Sequence, residues 1–239
     1  MQAAQPAPTK KAKPADKKSS SSQQKDKFSH PWLLTSLKGH SGPVLDLDLS
    51  DNGKYLASCS EDRSVLIWMV KEFAQKEHRA HRANVSYDSA TKISWSPDSK
   101  AFAVNKASAN AVEVYRIGKR EDGAPGLGPV TPVVSFDCKH ETDAIDVGIA
   151  STGQYIMSCS DRTDLIVWSL KGEVLARVDT CNMNTYCSKI SPCGRFIATS
   201  GFTPDVKVFF FFSFFLVIAF HISYFPPALG SQVQQEWRL

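Results

Sequence analysis

The chain has 239 residues, 42% of them hydrophobic, which suffices for one or two domains with buried cores and is too apolar for a wholly disordered polymer. Its formal net charge is +4, yet residues 1–27 carry seven lysines against Asp16 and Asp26, so that stretch holds +5, the remainder sums to −1, and any attraction to polyanions belongs to the tail. Six cysteines, at 59, 138, 159, 181, 187 and 193, form no CxxC pair, which speaks against a zinc site or disulfide framework and for small buried or half-buried thiols in a reducing compartment.

Residues 1–27, rich in Ala, Pro, Lys, Ser and Gln, show no apolar periodicity and too little apolar surface to offset the entropy of ordering, so this segment is expected to be a disordered tail. Lys10, Lys11, Lys13, Lys17 and Lys18 in KKAKPADKK read as a solvated linker, as a nuclear import signal, or as a basic arm that holds RNA phosphates or anionic lipid by point-charge attraction. No apolar run follows Met1, so no signal peptide or N-terminal anchor is expected there.

The segment that follows contains a repeat. NGKYLASCSEDRSVLIW, from Asn52 to Trp68, aligns without a gap on TGQYIMSCSDRTDLIVW, from Thr152 to Trp168, with Gly, Tyr, Ser, Cys, Ser and Trp identical at an offset of 100. Two looser copies end at Tyr115 and at Phe209, and the unit ends at 68, 115, 168 and 209 lie 47, 53 and 41 residues apart. That spacing fits a four-stranded propeller blade and not a helical repeat. Within the first unit, Val44–Leu49 alternates, and the pattern predicts a strand with Leu45, Leu47 and Leu49 on the core side and Asp46 and Asp48 on the wet side. Asp51-Asn52-Gly53 supplies a turn that tolerates positive φ, Tyr55–Ser60 a second strand, Glu61-Asp62-Arg63 another turn, and Val65–Trp68 the returning strand.

The Gly39-His40 pair, the Ser-bearing strand, the Asp in a tight turn and the terminal Trp resemble a WD40 repeat. The resemblance implies that His40, Ser58 or Ser60, Asp62 and Trp68 form a hydrogen-bonded network that ties three strands to the incoming loop. His, Ser and Asp together also suggest a hydrolase. There is no G-x-S-x-G elbow, however, and the spacing follows the blade, so a satisfied buried polar set is the better account. No catalytic, cofactor-binding or metal-binding residue is assigned. His78 and His81, with Arg79 and Arg82 beside them, have no further ligand nearby and read as an exposed basic connection.

In the second unit Tyr115 stands where Trp is usual and Ala109 where Asp is expected, so its network should be weaker. GKREDGAPGLGPVTP, from Gly118 to Pro132, reads as a surface loop and a candidate binding element. The third unit is nearly complete: Ser158 and Trp168 are in place, His140 follows Lys139, and Arg162 fills the position of Asp62, leaving Asp161, one residue earlier, as the expected carboxylate. The fourth copy is read as beginning near Val174 and running to Val208.

HRANV (81–85), KREDG (119–123), SLKGEVL (169–175), SPCGRF (191–196) and SGFTPDVKV (200–208) resemble the transducin beta-like protein 2 family of WD40 proteins over residues 28–208. The fold expected is therefore all-β, a partial WD40 propeller of about four blades behind a disordered tail. What the resemblance implies is a non-enzymatic scaffold of the endoplasmic reticulum unfolded protein response, without cofactors. The implied partners are proteins, including a stress kinase and the translation machinery, and RNA. Family members have more repeats and an N-terminal hydrophobic anchor.

After Val208 the sequence leaves the family pattern with FFFFSFFLVIAFHISYF. With Val208, the run to Phe225 reaches about the minimum length of a membrane-spanning helix and reads as a possible C-terminal anchor. A run of Phe, Ser and Leu that interrupts a repeat is also what translation into a retained intron would give, and residues 209–239 are read as a non-family tail. An open set of four blades is expected to expose two apolar blade faces and free strand edges.

Overall fold

A computed structural model of the chain describes residues 30–75, 78–120, 127–137, 139–212 and 216–222. The chain separates into two compact units, Met1–Leu33 and Leu34–Leu239. In the first, the described residues form a turn in which Leu33 N–H donates to His30 O. The tail lysines and the expected disorder of residues 1–27 lie outside the described residues, as do 121–126 of the Gly/Pro-rich loop.

The second unit consists of four four-stranded antiparallel sheets, each a propeller blade. The first blade holds β1 (Val44–Leu49), β2 (Tyr55–Ser60), β3 (Ser64–Met69) and β4 (Ala80–Asn84). The second holds β5 (Ala90–Trp95), β6 (Ala101–Lys106), β7 (Val112–Ile117) and β8 (Val130–Phe136). The third holds β9 (Ala144–Ile149), β10 (Tyr155–Ser160), β11 (Asp164–Ser169) and β12 (Val174–Asp179), so Val174 opens the outer strand of this blade and not the fourth copy. The fourth holds β13 (Thr185–Ile190), β14 (Phe196–Gly201), β15 (Val206–Phe212) and β16 (Leu216–Ile222).

The described part of the apolar run after Val208, residues 209–212 and 216–222, is therefore strand, and among the described residues no helix is long and apolar enough to cross a membrane. β15 runs straight through the 208/209 boundary, with Ile197 opposite Phe209 and Ala198 opposite Val208. The physical reason is register. Phe209 stands in the slot that Trp68 and Trp168 fill in their own blades, and at 2% exposure it packs with Ile197 against Tyr155, Met157 and Val167 of the third blade. An apolar run is ambiguous between helix and strand in isolation; here a waiting sheet edge and an apolar face decide it.

Blades pack face to face, and each interface is an apolar layer. Ala57, Cys59, Val65 and Ile67 of the first blade meet Trp95, Phe102, Val104 and Tyr115 of the second. Across that seam the rings of Tyr55 and Trp95 stack at 6.0 Å, continuing through Phe102 to Tyr115. Phe136 stacks on Trp168 at 5.5 Å across the next seam, and Tyr155 meets Phe211 at 4.9 Å across the third. At about 25 cal/mol per Å² of apolar area buried, such layers supply most of the driving force.

The alternation in β1 holds, but its faces are reversed from the expectation. Leu47 and Leu49 are 60% and 56% exposed, whereas Asp46 and Asp48 point toward the second blade. Asp46 Oδ2 accepts from Ile93 N–H at 3.1 Å and Asp48 Oδ2 from Trp95 N–H at 2.7 Å. The innermost strand of a blade pairs on one side only, so the N–H groups on its other side need acceptors. Carboxylates from the preceding blade provide them. Asp146 does the same for Ser188 N–H, at 3.0 Å, and the Ser94 hydroxyl for Ile149 N–H, at 3.2 Å.

Asp48→Ala should leave Trp95 N–H without its acceptor and cost about 1–3 kcal/mol. Leu47→Gln, on the exposed face, should change stability by no more than about 0.5 kcal/mol. Urea midpoints of the two variants check this, and the reverse order would place the leucine face in a core.

Candidate functional site

The residues with chemical character lie inside the blades, where each blade must tie its incoming loop to the turn between its second and third strands. In the first blade His40 arrives on the loop before β1. Its Nδ1 lies 3.1 Å from Asp62 Oδ2 and its Nε2 lies 2.8 Å from Ser58 Oγ. Trp68 Nε1–H donates to the same Ser58 Oγ at 3.0 Å. A neutral ring that gives its Nδ1–H to Asp62 keeps Nε2 as the acceptor for the Ser58 hydroxyl proton. Asp62 also accepts from Ser41 N–H at 2.8 Å and from the Ser64 hydroxyl at 2.6 Å. Gly39 is required by close approach: a Cβ there would lie 2.8 Å from Trp68 Cη2.

This is the connectivity of a Ser-His-Asp relay, and its surroundings are not those of a nucleophile. Ser58 is 6% exposed and Ser158 is wholly buried, each with an indole N–H on its oxygen. A substrate carbonyl has no approach to either hydroxyl, so the polar set holds the blade together.

The third blade repeats the set with one correction. His140 Nε2 lies 2.6 Å from Ser158 Oγ, which accepts from Trp168 Nε1–H at 2.7 Å. The carboxylate at His140 Nδ1 is Asp164, at 3.1 Å, and not Asp161, whose Oδ1 is buried without a partner. Position 164 corresponds to Ser64, whose hydroxyl already stands 3.4 Å from His40 Nδ1. A longer side chain at that strand start reaches the imidazole directly. Arg177 then clamps Asp164 with two bonds, Nε–H to Oδ1 at 2.8 Å and Nη2–H to Oδ2 at 2.7 Å.

The other two blades solve the same problem with residues that the repeat pattern missed. In the second, Asp88 on the incoming loop accepts from Ser108 N–H at 3.0 Å and Ala109 N–H at 2.9 Å, which reverses the polarity of the first blade, where the turn supplies the carboxylate. Tyr115 donates to Glu113 Oε2 at 2.9 Å, and Lys106 Nζ lies 3.3 Å from the same oxygen. This blade is thus differently locked, and its missing Trp and Asp do not leave it loose. In the fourth, Asn182 Nδ2–H donates to Thr199 Oγ1 at 3.2 Å, and Lys207 Nζ–H donates to Cys181 O at 2.7 Å. The signal was present in Asp88 and Asn182, polar residues just ahead of a strand, but neither shares an identity with His40.

The WD domain, G-beta repeat model matches residues 31–69, which cover the first blade's incoming loop and β1 to β3. Over 207 residues the chain is 45% identical to transducin beta-like protein 2 of Homo sapiens, an alignment that covers 82% of this chain and 46% of that protein. With the same protein of Mus musculus the identity is 47% over 185 residues, covering 77% of this chain and 41% of the relative. The chain is a WD40-repeat homologue of transducin beta-like protein 2. It spans about half the length of these curated relatives, 46% and 41%. Protein HIR1 of Aspergillus oryzae is similar more distantly, at 24% over 188 residues, with 77% of this chain and 14% of that protein covered.

In these WD40 repeats the connections into each blade and the turns after each second strand share one end, and there the surface carries apolar side chains. Tyr87 is fully exposed on a left-handed backbone with φ 59°, Met183 is 74% exposed and Phe202 68% exposed. Glu141, Arg162, Asp164, Arg177, Cys181 and Met183 help to line a cleft of 760 Å³ at the same end. Among the described residues no group of three or more His, Cys, Asp or Glu is placed to hold a metal. His78 Nε2 instead lies 3.2 Å from Thr35 Oγ1, and His81 sits in β4.

The described cysteines differ in exposure, with Cys187 half-buried. Burial pushes the Cys59 and Cys159 thiols up to about 12, so neither is a thiolate at neutral pH. Cys181 and Cys193 are exposed, contrary to the expectation of burial, and the Ser191 hydroxyl beside Cys193 holds its thiol below the usual range. Cys138 lies outside the described residues.

Asp164→Ala should lower stability by about 1–3 kcal/mol by stripping His140 of its acceptor. Asp161→Ala should cost less, because that carboxylate carries an unpartnered buried oxygen. Paired thermal melts decide between the two positions.

A pH dependence follows as well. Burial depresses the His140 pKa below the ordinary 6.5, outweighing the attraction of Asp164. Above that pH the ring is neutral in both folded and unfolded chains; as pH falls through 6.5 the unfolded chain takes up a proton the folded one refuses, and stability drops. Burial alone would raise the Asp62 and Asp164 carboxyls. Hydrogen bonds from Ser64, Ser41 and His40 to the first, and from Arg177 and His140 to the second, hold both below the usual 3.8. A second loss of stability is therefore expected as pH falls below about 4, where the unfolded carboxyls protonate first. Urea midpoints between neutral and acid pH should fall in these two stages, and His140→Asn should remove the first.

Proposed function

We propose that this chain is a non-enzymatic protein-interaction scaffold acting in the endoplasmic reticulum unfolded protein response, with a stress kinase and components of the translation machinery among its partners. One observation carries the scaffold reading: the side chains with catalytic composition are buried and mutually satisfied, whereas Tyr87, Met183 and Phe202 stand exposed at one end of the blades. Large apolar groups on a rigid, polar-locked frame are the usual anchors of a protein interface. The pathway, the compartment and the partner classes come from the resemblance to transducin beta-like protein 2.

The test is a triple variant, Tyr87→Ser with Met183→Ser and Phe202→Ser. Co-purification of a stress kinase and of ribosomal components from stressed cells should fall sharply, while the melting temperature stays close to that of the parent. Unchanged co-purification sinks the assignment of this end.

The charge of the tail supports a second reading, an RNA- or membrane-associated adaptor. Lys10, Lys11, Lys13, Lys17 and Lys18 lie in the 1–27 segment, whose net charge is +5, and the apolar run 208–225 supplies a candidate membrane contact. Retention on single-stranded RNA or anionic vesicles should then fall steeply with salt and vanish on deletion of residues 1–27. Salt-independent retention, or retention after deletion, counts against it.

A further inference from the structure

The seam between the second and third blades lacks a side chain that the seams on either side of it possess. The ladders fix the equivalence: Leu56 faces Leu49, Phe102 faces Trp95, Ile156 faces Ile149 and Ile197 faces Ile190, so Tyr55, Ala101, Tyr155 and Phe196 occupy one position of the repeat. Tyr55 stacks on Trp95 of the second blade, and Tyr155 meets Phe211 of the fourth. The Tyr155 hydroxyl also donates to Gly194 O, in the turn between the first two strands of the fourth blade, at 3.0 Å. Each of these rings fills the seam to the next blade. Ala101 brings only a methyl group to the seam with the third.

A cleft of 520 Å³ lies there, within the range of about 300–1,000 Å³ usual for ligand sites. Ala101, Val114 and Val134 line it from the second blade, and Ile149, Ile156 and Leu170 from the third. Gly153, also at its wall, holds the turn position of Gly194, with φ 65° against 66°. Its carbonyl is therefore the counterpart of the one that takes the Tyr155 hydroxyl. Lys100 and Arg116 stand at the same cleft with Asp98 as the lone carboxylate among the lining residues, so the rim is net positive. The Lys100–Asp98 pair is long, at 3.9 Å, and exposed on both sides, which leaves the lysine available to a second anion. The turns at Asp98 and Gly153 join first strands to second, so the cleft lies at the end of the blades opposite Tyr87, Met183 and Phe202.

We propose that this cleft is a socket for a tyrosine presented by an extended segment of a partner protein, with acidic residues beside that tyrosine resting on Lys100 and Arg116. The chain supplies its own template for the occupant, because tyrosine is the residue that fills the equivalent space in the seams before and after it. The ring replaces water against Val114, Val134, Ile149 and Ile156, and its hydroxyl donates to Gly153 O. An aromatic anchor in an apolar pocket with a charged rim is the arrangement that concentrates binding energy in one side chain.

The experiment has two arms on the full chain. In the first, a capped peptide of one tyrosine between two glutamates is titrated and followed by saturation transfer to its ring protons. The parent should bind it, the same peptide with alanine for tyrosine should not bind, and lysines for the glutamates should weaken it at least tenfold, as should Lys100→Ala with Arg116→Ala in the protein. In the second arm Ala101→Tyr supplies the ring from within. Enlarging a residue in a packed core destabilises; here the variant should melt about 2–4 °C higher than the parent and lose the peptide. A parent that ignores the tyrosine peptide or binds the alanine peptide equally well would overturn the proposal. So would an Ala101→Tyr variant that melts lower, fails to fold or still binds, and so would binding indifferent to the rim charges.

Discussion

The innermost strand of each blade pairs with a neighbour on one side only, and the backbone N–H groups on its other side must be satisfied from outside its own sheet. Everything else in the fold depends on how that requirement is met. Asp46 and Asp48 reach from the first blade to Ile93 and Trp95, Ser94 from the second to Ile149, and Asp146 from the third to Ser188. These are charge-assisted or hydroxyl bonds in a half-buried setting, and they bring the apolar seams into register. Burial raises the Asp48 pKa even though Trp95 N–H bonds the carboxylate, so desolvation is a large part of the balance. The equivalent positions of the fourth blade hold Cys187 and Lys189, and Lys189 turns back to within 4.0 Å of Asp146. That blade offers no carboxylate of its own kind to a next one.

A second requirement, local to each blade, is that the incoming loop be fixed to the turn between the second and third strands. The chain meets it in three chemistries. Two blades use His against Asp with Ser and Trp beneath; one uses an Asp that accepts from the turn backbone; one uses Asn, Thr and Lys. The geometry is common and the residues are not, because any donor and acceptor that meet at hydrogen-bond distance in a dry place satisfy the same need. Removing one partner leaves the other unpaired, which is why such sets persist once formed.

With the polar interior consumed by these ties, what remains for recognition is the surface. Tyr87, Met183 and Phe202 project from connections whose ends are pinned by the ties, so they are presented without the ordering cost of a free loop. The exposed leucines of β1 belong to a different class of surface. They form a face of the kind that blades ordinarily present to one another, and their chemistry suits a blade-like partner.

The repeat itself was legible from the sequence: Trp68 and Trp168, Ser58 and Ser158, His40 and Asp62 stand at a constant ruler, and the ruler follows from the number of residues needed to run and turn four strands. The all-β class and the blade count came with it. Three matters were decided by tertiary structure alone. The alternation in β1 showed two faces but not which of them was covered, since that depends on where the second blade packs. Asp164 replaced Asp161 because a position acquires its role from the side chain brought to it by a loop 24 residues away, and His140 comes within reach of the strand start. The described part of the run after Val208 became strand because the edge of β14 stood open beside it and Phe209 fitted the seam against Tyr155 and Val167. Local pattern states what a segment is able to become; the neighbour that pairs with it and the face it must cover determine what it is.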